Sequence, residues 1–214
     1  MERVICILIG YIFGLFQTSY IIGKLQHDDI REHGSGNAGS TNALRVYGAK
    51  AGFISLGGDA LKCVLAVLLV TAIFGGKYAD HIALLKLYAG AGVILGHNYP
   101  FYLNFHGGKG IASTLGQVLA IDPLLALPAM LVFLGLAFTT KYVSLSSLSA
   151  YLTAFIFMII FGQTGRYHME QSYLTEMYIL FALLTALAFF RHRKNIVRLI
   201  NGTESKVTFK KNKE

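Results

Sequence analysis

Four polar segments stand out from an apolar chain of 214 residues, and their residue types suit the binding of an oxyanion. The first reads Gly34-Ser35-Gly36-Asn37-Ala38-Gly39-Ser40-Thr41-Asn42-Ala43-Leu44-Arg45. Its glycines allow tight turns in which successive N–H groups form a concave anion nest. Ser35, Ser40 and Thr41 add hydroxyl donors, Asn37 and Asn42 add amides, and Arg45 adds a planar donor that meets phosphate through two nitrogens. Read without a ligand, the same stretch is a flexible Gly/Ser linker.

The second segment holds Gly96-His97-Asn98-Tyr99-Pro100 and then Phe105-His106-Gly107-Gly108-Lys109-Gly110. Gly107, Gly108, Lys109 and Gly110 open the next predicted helix, which places backbone N–H groups and a lysine at a helix N-terminus, a usual anion site. The spacing is not that of a Walker A loop, and an ordinary turn would use the same glycines. In the third segment, Lys141 to Ser147, Ser144 suits a helix cap, and Ser147 lies one turn further in, within reach of a polar ligand. The fourth, Arg191 to Leu199, puts His192 and Asn195 on one helical face at i, i+3; its arginines also suit a helix end among lipid headgroups. Asp59 and Lys62 share a face inside a predicted span, where charged residues pair with one another or line a site.

Several arrangements are absent: Ser-His-Asp, H-E-x-x-H, an aspartate-rich metal set, and the His-x4-Asp box of many acyltransferases. The polar equipment therefore suits phosphate binding and charge stabilisation without a protein nucleophile, a metal or a cofactor.

The elements that position these residues are membrane helices. Hydrophobic residues make up 54% of the chain, charged residues only 14%, and mean hydropathy is +0.54, beyond what one soluble core of this length would bury. Seven transmembrane helices are expected, at about 4–23, 51–74, 82–99, 110–121, 124–140, 145–161 and 173–190, in an all-α integral membrane fold. The first is read as a retained span because its apolar stretch lacks a cleavage pattern. The fourth is short. With loops alternating across seven spans, fourteen of the nineteen Lys and Arg residues fall on one side and four on the other, with Lys62 inside span two. The positive-inside rule then puts the N-terminus outside, and the C-terminus and all four polar segments in the cytoplasm. Residues 1–200 form one membrane domain; 201–214 read as a polar, basic cytoplasmic tail, disordered beyond about residue 203 and drawn to anionic membrane lipid, with no nucleic acid as partner. Cys6 and Cys63 read as buried free thiols.

Taken together, the segments resemble the bacterial acyl-phosphate-dependent glycerol-3-phosphate acyltransferase family. The resemblance rests on Ser35-Gly36-Asn37-x-Gly39-x-Thr41-Asn42-x-x-Arg45, on Gly96-His97-x-x-Pro100 with Phe105-x-Gly107-Gly108-Lys109-Gly110, on Val143-Ser144-Leu145-x-Ser147, and on Arg191-His192-x-x-Asn195-Ile196-x-Arg198-Leu199. It implies a seven-span enzyme of the bacterial plasma membrane with a cytoplasmic active site. That enzyme would move an acyl group from acyl phosphate to the 1-hydroxyl of glycerol-3-phosphate, giving lysophosphatidic acid and phosphate. It would be linked in function to the enzymes that make acyl phosphate and add the second acyl chain. By the same resemblance, Ser35, Arg45, Lys109, His192 and Asn195 are expected catalytic residues. Gly36, Asn37, Thr41, Asn42, His97, Gly107, Gly108, Gly110, Ser144 and Ser147 are expected to bind substrate. Three positions depart from the family: Gly14 to Tyr20 lacks a Gly-Ser-x-Pro-x-Gly pattern, His106 replaces a basic residue, and Cys63 replaces glycine. The alternative is a transporter of a phosphorylated or anionic metabolite, whose charged motifs would belong near the bilayer midplane.

Overall fold

A computed structural model describes residues 1–207, and those residues contain only helices and their connections. In chain order the helices are α1 (Glu2–Gly14), α2 (Thr18–Leu25), α3 (Ser40–Phe74), α4 (Ile82–Asn98), α5 (Ile111–Ile121), α6 (Pro123–Thr140), α7 (Val143–Gln163), α8 (Gln171–Arg191) and α9 (Arg193–Ile200). Leucines, isoleucines and phenylalanines such as Leu8, Phe53, Leu68, Leu131, Ile156 and Leu183 remain exposed on the outer surface, as a lipid-facing perimeter requires.

Among the described residues six helical stretches, not seven, are long and apolar enough to cross a membrane: 2–25, 40–74, 79–103, 123–140, 143–163 and 171–191. The expected fourth span is α5, whose eleven residues extend only about 16 Å against a hydrocarbon core of about 30 Å. Asp122 ends α5 and caps α6 through Leu124 N–H (3.0 Å), with Pro123 at the first helical position. Gly110, Ala112, Ser113 and Thr114, at the start of α5, are all buried. The short helix therefore carries its N-terminus down into the bundle.

The first expected span is broken. Leu15 to Gln17 separate α1 from α2 although no proline occupies the position, and the break frees backbone carbonyls where little water is available. Lys62 supplies the missing donors: its ammonium reaches Phe16 O at 2.5 Å and Gly14 O at 3.3 Å, and pairs with Asp59 at 2.9 Å. Asp59 in turn accepts Thr18 Oγ1 at 3.1 Å at the start of α2. The Asp59–Lys62 pair thus secures helix packing. Deleting one partner would leave the other charge buried, at a cost of about 3–5 kcal/mol.

Glycines set the closest helix contacts. Gly10 and Gly14 of α1 lie against Ala89 and Val93 carbonyls of α4, and Gly92 and Gly96 lie against Ile7 and Tyr11 carbonyls in return. A Cβ at any of the four would collide with backbone, so the two small-x3-small faces pack as a pair. Around them two apolar clusters form. One joins Cys6, Cys63, Val67 and Leu85 between α1, α3 and α4, with both thiols free; the other joins Leu87, Leu125, Met158 and Phe181 among α4, α6, α7 and α8.

Two further differences from expectation bear on the polar segments. Helix α3 starts at Ser40, about eleven residues earlier than expected, and turns at Gly48, whose φ of 85° suits glycine. The basic stretch after α8 is a separate helix, α9. Beyond it, Asn201 to Val207 fold back on the bundle, through Val207 N–H to Lys141 O at 3.0 Å. The expected disordered tail is thus ordered over this part, and its remainder, 208–214, lies outside the described residues.

Candidate functional site

All four polar segments meet at one cavity of about 470 Å³. Its wall brings together Ser35, Asn37, Thr41, Asn42 and Arg45 from the first segment, His97, Lys109 and Gly110 from the second, Ser144 and Ser147 from the third, and His192, Asn195 and Arg198 from the fourth. All five expected catalytic residues line it. Leu56, Ile111, Phe133 and Val143 add an apolar side.

The first pole is the start of α3. Gly34 and Gly36 take left-handed φ values of 61° and 69°, which turn the chain so that Gly39 caps the helix. Ser40 and Thr41 open α3, so their N–H groups have no acceptor within the helix and point toward the cavity end. Arg45 stands one turn on, exposed and without a hydrogen bond among the described residues. Asn42 is placed differently from expectation: it is 1% exposed, and its amide is used on Ser35 N–H (2.9 Å), His33 O (3.0 Å) and Ile30 O (3.1 Å). It stitches the loop that presents Ser35. Gly36 turns the chain and lies outside the cavity wall.

The second pole is the recessed start of α5. Gly107 and Gly108 were expected to offer their N–H groups to an anion, but both are buried and both N–H groups are taken, by Asn98 O (3.2 Å) and His97 O (3.0 Å). Their carbonyls accept Arg191 at 3.1 and 2.7 Å, and the guanidinium rests on the Tyr99 ring. The glycines are needed because a Cβ on Gly108 would strike the His97 ring and the Ala38 carbonyl. His97 is itself fixed: Gln17 donates to its carbonyl at 2.8 Å, and the Lys62 ammonium lies 2.9 Å from Nδ1. Because an ammonium only donates, Nδ1 accepts there and the proton sits on Nε2. What remains for a ligand is Lys109, with Gly110, Ile111 and Ala112 at the helix N-terminus.

Lys109 donates to Asn195 Oδ1 at 2.5 Å. Burial pushes its ammonium down to about 8, Glu204 opposing the shift and Arg198, Arg191 and Arg45 adding to it. His192 gives Nδ1–H to Ala188 O at 2.8 Å, which leaves Nε2 as an acceptor. Burial and the neighbouring Lys109 hold it down to about 4, so it is neutral at pH 7 and offers a lone pair rather than a positive charge. Ser147 bonds Val143 O within its helix, and Ser144 turns to Glu204 at 2.8 Å.

Glu204 is the principal residue that sequence reasoning missed. An acidic residue in a lysine-rich tail reads as solvated, yet Glu204 lines the cavity beside Arg198, with Asp59 as the other carboxylate among the described lining residues. The only local signal is Gly202, whose φ of 68° turns the chain back after α9. Among the described residues no group of three or more His, Cys, Asp or Glu is placed to hold a metal ion.

A bundle of membrane helices around a cavity lined by hydroxyl, amide and basic groups with one apolar side is the architecture of an integral membrane protein with a site suited to an oxyanion. A sequence profile for glycerol-3-phosphate acyltransferases matches residues 4–202. The glycerol-3-phosphate acyltransferase of Alkaliphilus metalliredigens is 40% identical over 97% of this chain and 97% of its own, and that of Bacillus subtilis is 40% identical over 94% and 95%. Two crystal structures of PlsY (YgiH), an integral membrane glycerol 3-phosphate acyltransferase, share the fold. The glycerol 3-phosphate form aligns with a TM-score of 0.84 at 34% identity, covering 97% of this chain and 96% of that one. The lysophosphatidic acid form aligns at 0.81 and 33%, covering 98% and 97%. The chain belongs to the glycerol-3-phosphate acyltransferase family, and it is an acyltransferase of phospholipid synthesis.

Proposed function

We propose that the acyl donor is an acyl phosphate and the acceptor is the 1-hydroxyl of glycerol-3-phosphate, the products being lysophosphatidic acid and inorganic phosphate. The observation that carries this reading is a single cavity with two anion-binding poles, the starts of α3 and α5, and an apolar side formed by Leu56, Ile111, Phe133 and Val143. Two phosphates and one alkyl chain are what the two substrates bring.

The hydroxyl oxygen attacks the acyl carbonyl carbon, the bond from that carbon to the phosphate oxygen breaks, and the hydroxyl proton ends on the departing phosphate. Because phosphate leaves readily, the protein needs only to hold the partners and stabilise charge. Ser35, Asn37, Thr41 and the α3 N-terminus receive one phosphate, with Gly36 and Asn42 shaping their loop. Lys109, Gly110 and the α5 N-terminus receive the other, with Gly107, Gly108 and His97 as their support. Arg45 closes on the phosphates from the mouth, Asn195 orients Lys109, His192 Nε2 accepts from the substrate hydroxyl, and Ser144 and Ser147 line the acceptor side.

The polar end faces the cytoplasm of a bacterial plasma membrane, with the N-terminus outside and α5, though shorter than the hydrocarbon core, completing the seventh crossing. The distribution of Lys and Arg supports this orientation. It lets the site draw acyl phosphate from the cytoplasmic leaflet and pass its product to a second acylation.

Purified protein given palmitoyl phosphate should release phosphate only when glycerol-3-phosphate is added, with lysophosphatidic acid formed one for one. Release that ignores the acceptor, or no release from either mixture, overturns the reading.

A further inference from the structure

The tail segment after α9 places a carboxylate where only donors converge. Glu204 Oε1 accepts Asn195 Nδ2 at 2.6 Å and Ser144 Oγ at 2.8 Å, and Oε2 accepts Arg198 Nε at 2.6 Å. Its side chain is 7% exposed. The segment is held at both ends, by Thr203 N–H to Arg198 O at 2.8 Å and Val207 N–H to Lys141 O at 3.0 Å.

From these contacts we infer that Glu204 is a positioning residue for Lys109, acting through Asn195. The Asn195 amide has two unlike ends. A carboxylate can only accept and an ammonium can only donate, so the NH2 end must face Glu204 and the carbonyl end must face Lys109. The orientation is fixed from both sides. Without the carboxylate, the Asn195 NH2 end loses the acceptor that holds it, the amide is oriented from the Lys109 side alone, and the anchor of the ammonium at the cavity wall loosens.

Charge acts in the same direction. The groups facing Lys109 are Arg45 from α3, Arg191 from α8, neutral His192 between α8 and α9, Arg198 from α9 and Glu204 from the returning segment. Glu204 is the carboxylate that opposes the surrounding cations, because Asp59 is committed to Lys62 and Thr18. Its loss lets burial and three arginines push the lysine further from its usual value.

This inference rests on Lys109 acting as a phosphate ligand only for its catalytic consequence; the titration of Lys109 can be read without turnover. Full-length protein is labelled with trace acetic anhydride across a pH series, and acetylation of Lys109 is followed by mass spectrometry. The wild-type midpoint should lie near 8, since the neutral amine is the reactive form. Glu204→Gln keeps the shape but offers one acceptor to three donors, so its midpoint should fall by about one pH unit. The alkaline limb of kcat/KM for glycerol-3-phosphate should move with it, because the charged lysine present below its pKa is lost at a lower pH. Arg198→Gln removes a cation and leaves Glu204 in place, so its midpoint should rise. It supplies a test of opposite sign should Glu204→Gln fail to fold. An unchanged midpoint in a folded Glu204→Gln protein, or an unchanged or lowered one in Arg198→Gln, overturns the inference. Tighter binding of inorganic phosphate by Glu204→Gln would also overturn it, since Glu204 would then be a competitor for the anion site.

Discussion

The two ends of this bundle use similar charged residues to opposite ends. At the end carrying the N-terminus, Arg3 grips Glu176 through two nitrogens at 2.5 and 2.8 Å, and Tyr88 donates to the same carboxylate at 2.7 Å. Nearby, Arg166 pairs with Asp122 and holds its carboxyl below the usual range. These cations meet carboxylates and these carboxylates meet donors. At the other end Arg45 is exposed, Lys109 is anchored by an amide oxygen instead of a carboxylate, and two helix N-termini open into the same space. Charges neutralised in place close a bundle, whereas donors left in surplus around a cavity suit an anion.

The comparison breaks most sharply with Lys109 or Arg45. Lys109→Ala and Arg45→Ala should each lower kcat/KM for acyl transfer by roughly 10²–10³-fold, the usual loss when one charge-stabilising donor is removed, while the melting temperature holds. Near-normal transfer by either variant would mean that the surplus donors are not the catalytic ones. Gly108→Ala comes next. Its Cβ must displace the His97 ring or the loop, and kcat/KM should fall by roughly 10²-fold, as when an active-site group is misplaced by about an ångström. Wild-type kinetics from that protein would deny the loop its positioning role.

The pH dependence sharpens the same contrast. Lys109 is charged below about 8 and neutral above it, so kcat/KM of the free enzyme should decline as pH rises through that value. His192 is neutral down to about 4, and no acid limb from it should appear between pH 5 and 7. A rate profile flat from 7 to 9.5 would remove Lys109 from the mechanism. The smallest effect belongs to the closed end. Asp122→Asn should leave acyl transfer intact and lower thermal stability slightly. A carboxylate held below its usual pKa stabilises above its unfolded value and loses that effect as pH falls through the folded one. The stability gap between wild type and Asp122→Asn should therefore close as pH falls below about 4, and a gap that widens there would contradict the pairing.

Much of this molecule was legible in its residues. Hydropathy located every long helix to within a few residues at most ends, because lipid as solvent demands long apolar runs. Glycine, hydroxyl and basic residues marked the four segments that meet at the cavity, since few other types suit an oxyanion. The start of α3 was missed because hydropathy marks only the apolar part of a helix, and the polar residues from Ser40 to Lys50 belong to one that turns at Gly48 and continues.

What the chain determined by itself is thus its solvent, its helices and the chemistry of its polar segments. Only the tertiary structure decided which donors remain free. Gly107 and Gly108 are occupied by the backbone of α4, Asn42 by its own loop, and Lys62 by a helix break 46 residues earlier. It also decided that α5, only eleven residues long, starts inside the bundle at the cavity wall, and that Glu204 leaves solvent to face Asn195. Hydropathy and residue type are local properties, but whether a donor is already spent depends on atoms brought near it from distant parts of the chain.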